Sequence, residues 1–240
     1  VPTALVTGGA SGIGAEICRR MLAAGYEVIT LDRIAPAAPH PNLHAMTVDL
    51  LDANATRAAA DDLAAHFNIS HIVHNAGAIR PALLPAVQQA DLHDLAQLHL
   101  GAPLLLVQAV LPRMREAGFG RIILISSRAA LGAETRSAYA ATKAGIIGLA
   151  RTWALELAPA GITVNVVAPG PIGGTTMFHE IIPAGSEREA KLAAGIPVQR
   201  LGRPADVARA VLFFADADSG FITGQTLFVC GGSSIGSVAI

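Results

Sequence analysis

Tyr139 and Lys143 stand four residues apart in a stretch whose apolar positions, Ile146, Leu149, Trp153 and Leu157, recur at helical intervals. One helical turn separates the pair, so both side chains project from the same face. A phenol titrates near ~10 and is a poor base at neutral pH, but a neighbouring ammonium favours the phenolate. Tyr139 could then take a proton from an alcohol or return one to a ketone. By itself a Tyr-x-x-x-Lys pattern is common in purely structural helices. What raises its standing is Ser126-Ser127 at the end of the preceding β-branched run, where a hydroxyl could hold the oxygen of a reacting group. Ser127 precedes Tyr139 by twelve residues and Ser126 by thirteen, and both are candidates.

A second constellation is Thr7-Gly8-Gly9-Ala10-Ser11-Gly12-Ile13-Gly14. It joins the run Ala4 to Thr7 to a helical stripe of Ile13, Ile17 and Met21. Glycines there permit positive φ and let a pyrophosphate approach the backbone, and the following helix start offers unpaired N–H groups to an anion. The glycine spacing is one residue wider than the common dinucleotide fingerprint, and a merely tight turn is the competing reading. Asp32 closes the second β-branched run, eighteen residues after Gly14. A carboxylate there can accept both ribose hydroxyls and repel a 2′-phosphate; a loop-capping Asp is the plainer alternative. Ala10 and Ser11 carry no positive charge, whereas Arg33 argues for the phosphorylated cofactor. NAD is the expected cofactor, ahead of NADP.

The elements that must position these groups alternate. Strand-like runs at Val28–Leu31, Ala45–Val48, His71–His74, Arg121–Ile125, Ile162–Val167 and Thr226–Val229 are separated by helical patterns over 55–66, 92–117 and 137–158. The runs lack polar alternation, which requires a parallel sheet covered on both faces. The expected fold is α/β: a single Rossmann-like, doubly wound parallel sheet with helices on both faces, spanning residues 1–240 as one dinucleotide-binding and catalytic domain. Residues 173–196 are periodic only weakly and are expected to form a substrate flap.

Hydrophobic residues make up 52% and charged residues 15% of the chain, excluding a disordered chain and predicting surface buried against copies of itself. The net charge of −1 is spread without a basic block, which argues against nucleic acid and acidic membranes as partners. Two cysteines, Cys18 and Cys230, fit neither a disulfide framework nor a zinc site. His71 and His74 face opposite sides of a strand, and His40, His44, His66, His93 and His179 have no ligand spacing, so no metal is expected. The longest apolar run, Ala102 to Leu111, is broken by Gln108, closed by Pro112 and short of the ~18 residues a bilayer needs. The first residues lack a secretion-signal pattern, and a cytoplasmic location is expected.

Taken in order, Thr7-Gly8…Gly12-Ile13-Gly14, Asp49-Leu50, Asn75-Ala76-Gly77, Ser126-Ser127, Tyr139…Lys143 and Pro169-Gly170 resemble the short-chain dehydrogenase/reductase family over essentially the whole chain. The resemblance implies an NAD(P)-dependent oxidoreductase interconverting a secondary alcohol and a ketone. It makes Tyr139 the acid/base, Lys143 the ribose ligand that lowers the tyrosine pKa, and Ser127 the orienter of the substrate oxygen. Gly8, Ser11, Gly12, Ile13, Gly14, Asp32 and Arg33 would hold the nucleotide and Asp49-Leu50 its adenine. Asn75-Ala76-Gly77 would brace the sheet, and Pro169, Ile172 and Thr175 would flank the carboxamide, with Thr176 competing with Thr175.

One departure bears on mechanism: His99 stands where the family has Asn. It is expected either to relay protons from a lysine-bound water, adding an inflection near its ordinary ~6.5, or to be a satisfied structural histidine. The alternatives to an NAD-dependent dehydrogenase are an NADPH-dependent 3-oxoacyl (acyl-carrier-protein) reductase and a nucleotide-sensing, non-catalytic binding protein. Substrate choice is expected from loops 79–84 and 128–134 and the flap, whose Leu131, Met177, Phe178 and Ile181 point to an uncharged, partly hydrophobic ketone. The resemblance and the apolar balance imply a homotetramer or, failing that, a dimer.

Overall fold

Runs of Val, Ile and Leu without polar alternation become strands buried on both faces. In the computed structural model, which describes residues 1–235, β1 (Thr3–Thr7), β4 (Ile69–His74), β5 (Gly120–Ile125) and β6 (Ile162–Pro169) are almost wholly buried. They are flanked by β2 (Glu27–Asp32), β3 (Leu43–Thr47) and β7 (Thr226–Val229). The seven strands form one parallel sheet in the order β3-β2-β1-β4-β5-β6-β7. β3 is partly exposed because it has only one neighbour. The chain steps outward from β1 in one direction, returns, and steps outward from β4 in the other. At that switch point the loops beyond β1 and β4 diverge and leave a crevice at the carboxyl ends of the strands.

On one face lie α1 (Gly12–Ala23) and α8 (Pro204–Ala215), where Ile17, Met21, Val207 and Val211 pack against Val6, Val28 and Ile123. The other face carries α2 (Ala53–His66), α4 (Ala102–Ala117) and α5 (Ser137–Leu157), burying Leu63, Leu106, Met114, Ile146 and Trp153 against Ile72, Ile122 and Val164. α3 (Gln89–Ala96) runs into α4 through a π turn at Gln97–Gly101. The result is one helix, Gln89–Ala117, of 29 residues, long and apolar enough by length and composition to cross a membrane. The expectation of no such segment counted only uninterrupted apolar residues and took Pro112 as an end; Pro112 instead lies inside α4. Here Leu95, Leu98, Leu106 and Val110 on this helix are buried in the protein's own core. The expected flap contains two short helices, α6 (Thr176–His179) and α7 (Glu187–Ala194).

Candidate active site

The crevice is a cleft of about 620 Å³. The glycine turn forms one wall. Gly8 has φ +66°, and a Cβ there would stand 2.9 Å from the Ala76 Cα, so this turn and the loop after β4 approach closer than any side chain permits. A Cβ on Gly14 would overlap the Gly8 carbonyl oxygen. Gly14 therefore serves the packing of α1 onto the turn and does not line the cleft, unlike Gly8, Ser11, Gly12 and Ile13. Ser11 makes no side-chain cap, and the first turn of α1 holds no acidic residue, so its N–H groups stand available to an anion. These features fit a dinucleotide pyrophosphate.

The opposite side of the turn is tied to β4. Thr7 Oγ1 accepts the N–H groups of Asn75 and Ala76, each at 3.0 Å, and donates to His74 Nδ1 at 3.0 Å. His74 Nε2 donates in turn to the Leu98 carbonyl in the π turn at 3.0 Å. Asn75 Nδ2 donates to the carbonyls of Thr7 and Gly8. Asn75 and Ala76 thus join a continuous bracing network, in which Gly77 has no hydrogen bond among the described residues. His71 turns to the other face and reaches the Ala215 carbonyl.

Asp32 is held at the end of β2 with its carboxylate accepting from the N–H groups of Ala10 (3.0 Å) and Arg33 (2.7 Å). It caps the glycine turn and lines the cleft at once, so the two readings of this residue are compatible. Arg33, Asp49, Leu50, Pro169 and Ile172 line the same cleft. Thr175 caps α6 and lies over Gly12, its Cγ2 being 3.3 Å from where a Gly12 Cβ would be. Thr176 also lines the cleft, and Thr175 is the threonine packed against Gly12.

At the chemical end the two serines both line the cleft but have different partners. Ser126 is buried and donates to the Lys143 carbonyl at 2.6 Å, which makes it part of the α5–β5 packing. Ser127 lines the cleft beside Tyr139, its Oγ also accepting from the Ala129 N–H at 3.1 Å. Burial pushes the Tyr139 phenol above its ordinary pKa, while hydrogen bonding from Ser127 and the charge of Arg136 pull it down. Lys143 Nζ donates to the Ile125 carbonyl at 2.8 Å and stands 5.7 Å from the Tyr139 ring centroid. Burial lowers its own pKa to about 7. Lys143, expected as the cation that favours the phenolate, thus faces the tyrosine ring, and the charge of Arg136 also acts on the phenol in that direction.

Of the two readings of His99, its surroundings favour the satisfied structural histidine. It is fully buried and does not line the cleft. Thr142 Oγ1 donates to the Ala138 carbonyl (2.9 Å), so it accepts the Nδ1–H of His99 at 2.8 Å. Nε2 then accepts from the Ala78 N–H at 3.4 Å, and the ring meets Tyr139 edge to face. Burial, together with the charge of Lys143, holds the imidazole neutral far below its ordinary pKa. Sequence reasoning missed Arg136 and Thr142. Thr142 carries no signal of its own, whereas Arg136, three residues before Tyr139, could have been noticed as a cation beside the acid/base. Leu131, expected at the substrate, is exposed and outside the cleft, while Met177, Phe178 and Ile181 line it.

A family model described as enoyl-(acyl carrier protein) reductase matches residues 8–234. The (2S)-[(R)-hydroxy(phenyl)methyl]succinyl-CoA dehydrogenase subunit BbsC of Thauera aromatica is 39% identical over 241 residues, covering 96% of this chain and 94% of the relative. The 3-oxoacyl-[acyl-carrier-protein] reductase FabG of Escherichia coli is 35% identical over 237 residues, covering 95% and 96%. A solved short chain dehydrogenase/reductase family protein superposes with a TM-score of 0.88 at 35% identity, covering 98% of each chain. Thermoplasma acidophilum aldohexose dehydrogenase does so with 0.90 at 28% identity, covering 100% of this chain and 96% of that one. The chain belongs to the short-chain dehydrogenase/reductase family. It is an oxidoreductase of the class that interconverts secondary alcohols and ketones.

Proposed function

We propose that the protein is an NAD-dependent dehydrogenase/reductase acting on a small-molecule secondary alcohol or ketone, cytoplasmic and homotetrameric. When bound, the nicotinamide supplies or accepts the hydride. Tyr139 moves the proton at its Oη, Ser127 holds the substrate oxygen, and Lys143 holds the ribose from the floor of the cleft. The observation that carries the cofactor choice is the Asp32 carboxylate, pinned by the Ala10 and Arg33 N–H groups at the end of β2. A negative group there accepts ribose hydroxyls and repels a 2′-phosphate. Asp32→Ala should weaken NAD by roughly ten- to a hundredfold, the equivalent of ~1.5–3 kcal/mol, and relieve the bias against NADP. Parallel assays of an alcohol and ketone panel with both cofactors test this; a wild-type preference of tenfold for NADP rejects it.

That preference would support the second reading, an NADPH-dependent 3-oxoacyl reductase. It is favoured by Arg33, which lines the cleft and forms no ion pair among the described residues. The names of FabG and of the acetoacetyl-CoA reductase of Rhizobium meliloti (37% identical) point the same way. Support for assembly comes from large apolar side chains left exposed, among them Leu155 on α5 and Phe221 and Leu227 near β7. Sedimentation as a monomer at all concentrations would reject the tetramer.

A further inference from the structure

The charges in the cleft are segregated. Its acidic side chains, Asp32 and Asp49, belong to the strand ends beside the glycine turn, together with Arg33, whereas the charged side chains that line it from the loops around Ser127 and Tyr139 are Arg80, Arg128 and Arg136; Glu134 on the same loop is exposed and outside the lining. Arg80 lies 3.6 Å from Asp91, while Arg128 and Arg136 form no ion pair among the described residues. Arg136 is only partly exposed. Its Nη1 donates to the carbonyl and Oγ1 of neighbouring Thr135, and its Nε and Nη2 have no acceptor among the described residues.

The backbone that presents it is unusual. Thr135 has φ +64°, a left-handed conformation that a β-branched residue seldom adopts. Its carbonyl accepts the Ala82 N–H at 3.0 Å, and Ala82 and Arg136 pair as a parallel bridge. Two loops are thereby clipped together with the guanidinium held at the entry of α5. It is close enough for its charge to act on the Tyr139 phenol. A guanidinium is permanently charged and forks to match the two oxygens of a carboxylate. A wholly neutral ketone would leave this cation unpaired beside the acid/base.

We propose that Arg136 is a specificity-determining residue that receives a carboxylate carried by the substrate close to its reacting carbon. The substrate is then an oxo acid or the matching hydroxy acid, with Met177, Phe178 and Ile181 receiving its apolar remainder. This departs from the expected uncharged ketone in giving the substrate a negative charge, keeps its partly hydrophobic character, and rests on the alcohol–ketone reading of the same site.

The test compares kcat/KM for 2-, 3- and 4-oxo acids with their methyl esters in the cofactor-loaded protein. At least one acid should exceed its ester tenfold or more, and Arg136→Gln should bring that ratio close to one. Arg136→Lys should fall between, since it keeps the charge and loses the fork. Calorimetry with malonate and succinate on the cofactor-loaded protein should show binding weakened at least tenfold by Arg136→Gln. Esters that match or exceed every acid in the wild type overturn the assignment, as does a ratio that survives Arg136→Gln. If no alcohol or ketone is turned over at all, the alcohol–ketone reading falls, and dicarboxylate binding decides the role of Arg136 by itself.

Discussion

At the scale of single residues, the site separates groups that touch the reaction from groups that hold them. Tyr139→Phe keeps the ring in its edge-to-face contact with His99 and removes only the hydroxyl proposed to carry the proton. Cofactor should still bind while turnover falls by roughly 10²–10⁴; turnover near the wild-type rate would mean that another group moves the proton. His99 belongs to the holding groups, because its Nδ1–H is committed to Thr142 and its Nε2 to Ala78. His99→Leu leaves Thr142 Oγ1 and the Ala78 N–H with one partner fewer and should cost about 1–3 kcal/mol of stability, read from denaturant midpoints. Since the ring is held neutral, pH–rate profiles of wild type and His99→Asn should share their inflections between pH 5.5 and 7.5. An inflection near 6.5 present only in the wild type would restore a titrating relay.

At the scale of elements, the nucleotide turn is a contact between backbones. Gly8 lets the turn after β1 approach the loop after β4, and Gly14 lets α1 close over the Gly8 carbonyl. Gly14→Ala inserts a methyl group where no flexible side chain can yield, a steric conflict worth at least about 1–3 kcal/mol. The variant should melt at lower temperature and bind cofactor more weakly; unchanged melting and affinity would show that the turn relaxes freely. The π turn between α3 and α4 has a comparable role. It presents the Leu98 carbonyl to His74 and carries His99 to Thr142, so one irregularity couples the sheet to α5, the helix that carries Tyr139.

Across the whole molecule, buried imidazoles set the response to acid. Burial lowers the pKa of His71 from 6.5 to about 4 and of His74 from 6.5 to about 3. Both rings stay neutral in the folded protein, whereas the unfolded chain takes up protons near 6.5. The unfolded state therefore binds more protons below that pH, and stability present above pH 6.5 is lost as pH falls towards 4 and 3. For His71 alone the loss by pH 4 is on the order of 3 kcal/mol. Urea midpoints at fixed protein concentration should drop steeply from pH 7.5 to pH 5, and less steeply in His71→Gln. A midpoint that holds between those pH values would contradict the neutral burial of these histidines.

Much of this was legible in residue order because it depends on local rules. Uninterrupted β-branched runs require a sheet covered on both faces, glycines between a strand and a helix require a close backbone approach, and four residues of helix bring Tyr139 and Lys143 to one side. The cleft lining met by Asp32, Asp49, Asn75, Tyr139 and Pro169 follows from strand ends that the parallel order brings together. What spacing could not decide were the relations set by burial and by contacts distant in the chain. Ser126 and Ser127 differ by one position, and only packing against α5 buries one hydroxyl on the Lys143 carbonyl and leaves the other beside Tyr139. His99 reads as a titratable group until the fold surrounds it with protein and gives both ring nitrogens partners, because desolvation belongs to the three-dimensional environment. Arg136 reads as one surface charge among many until a left-handed Thr135 and its bridge to Ala82 hold it within electrostatic reach of the phenol.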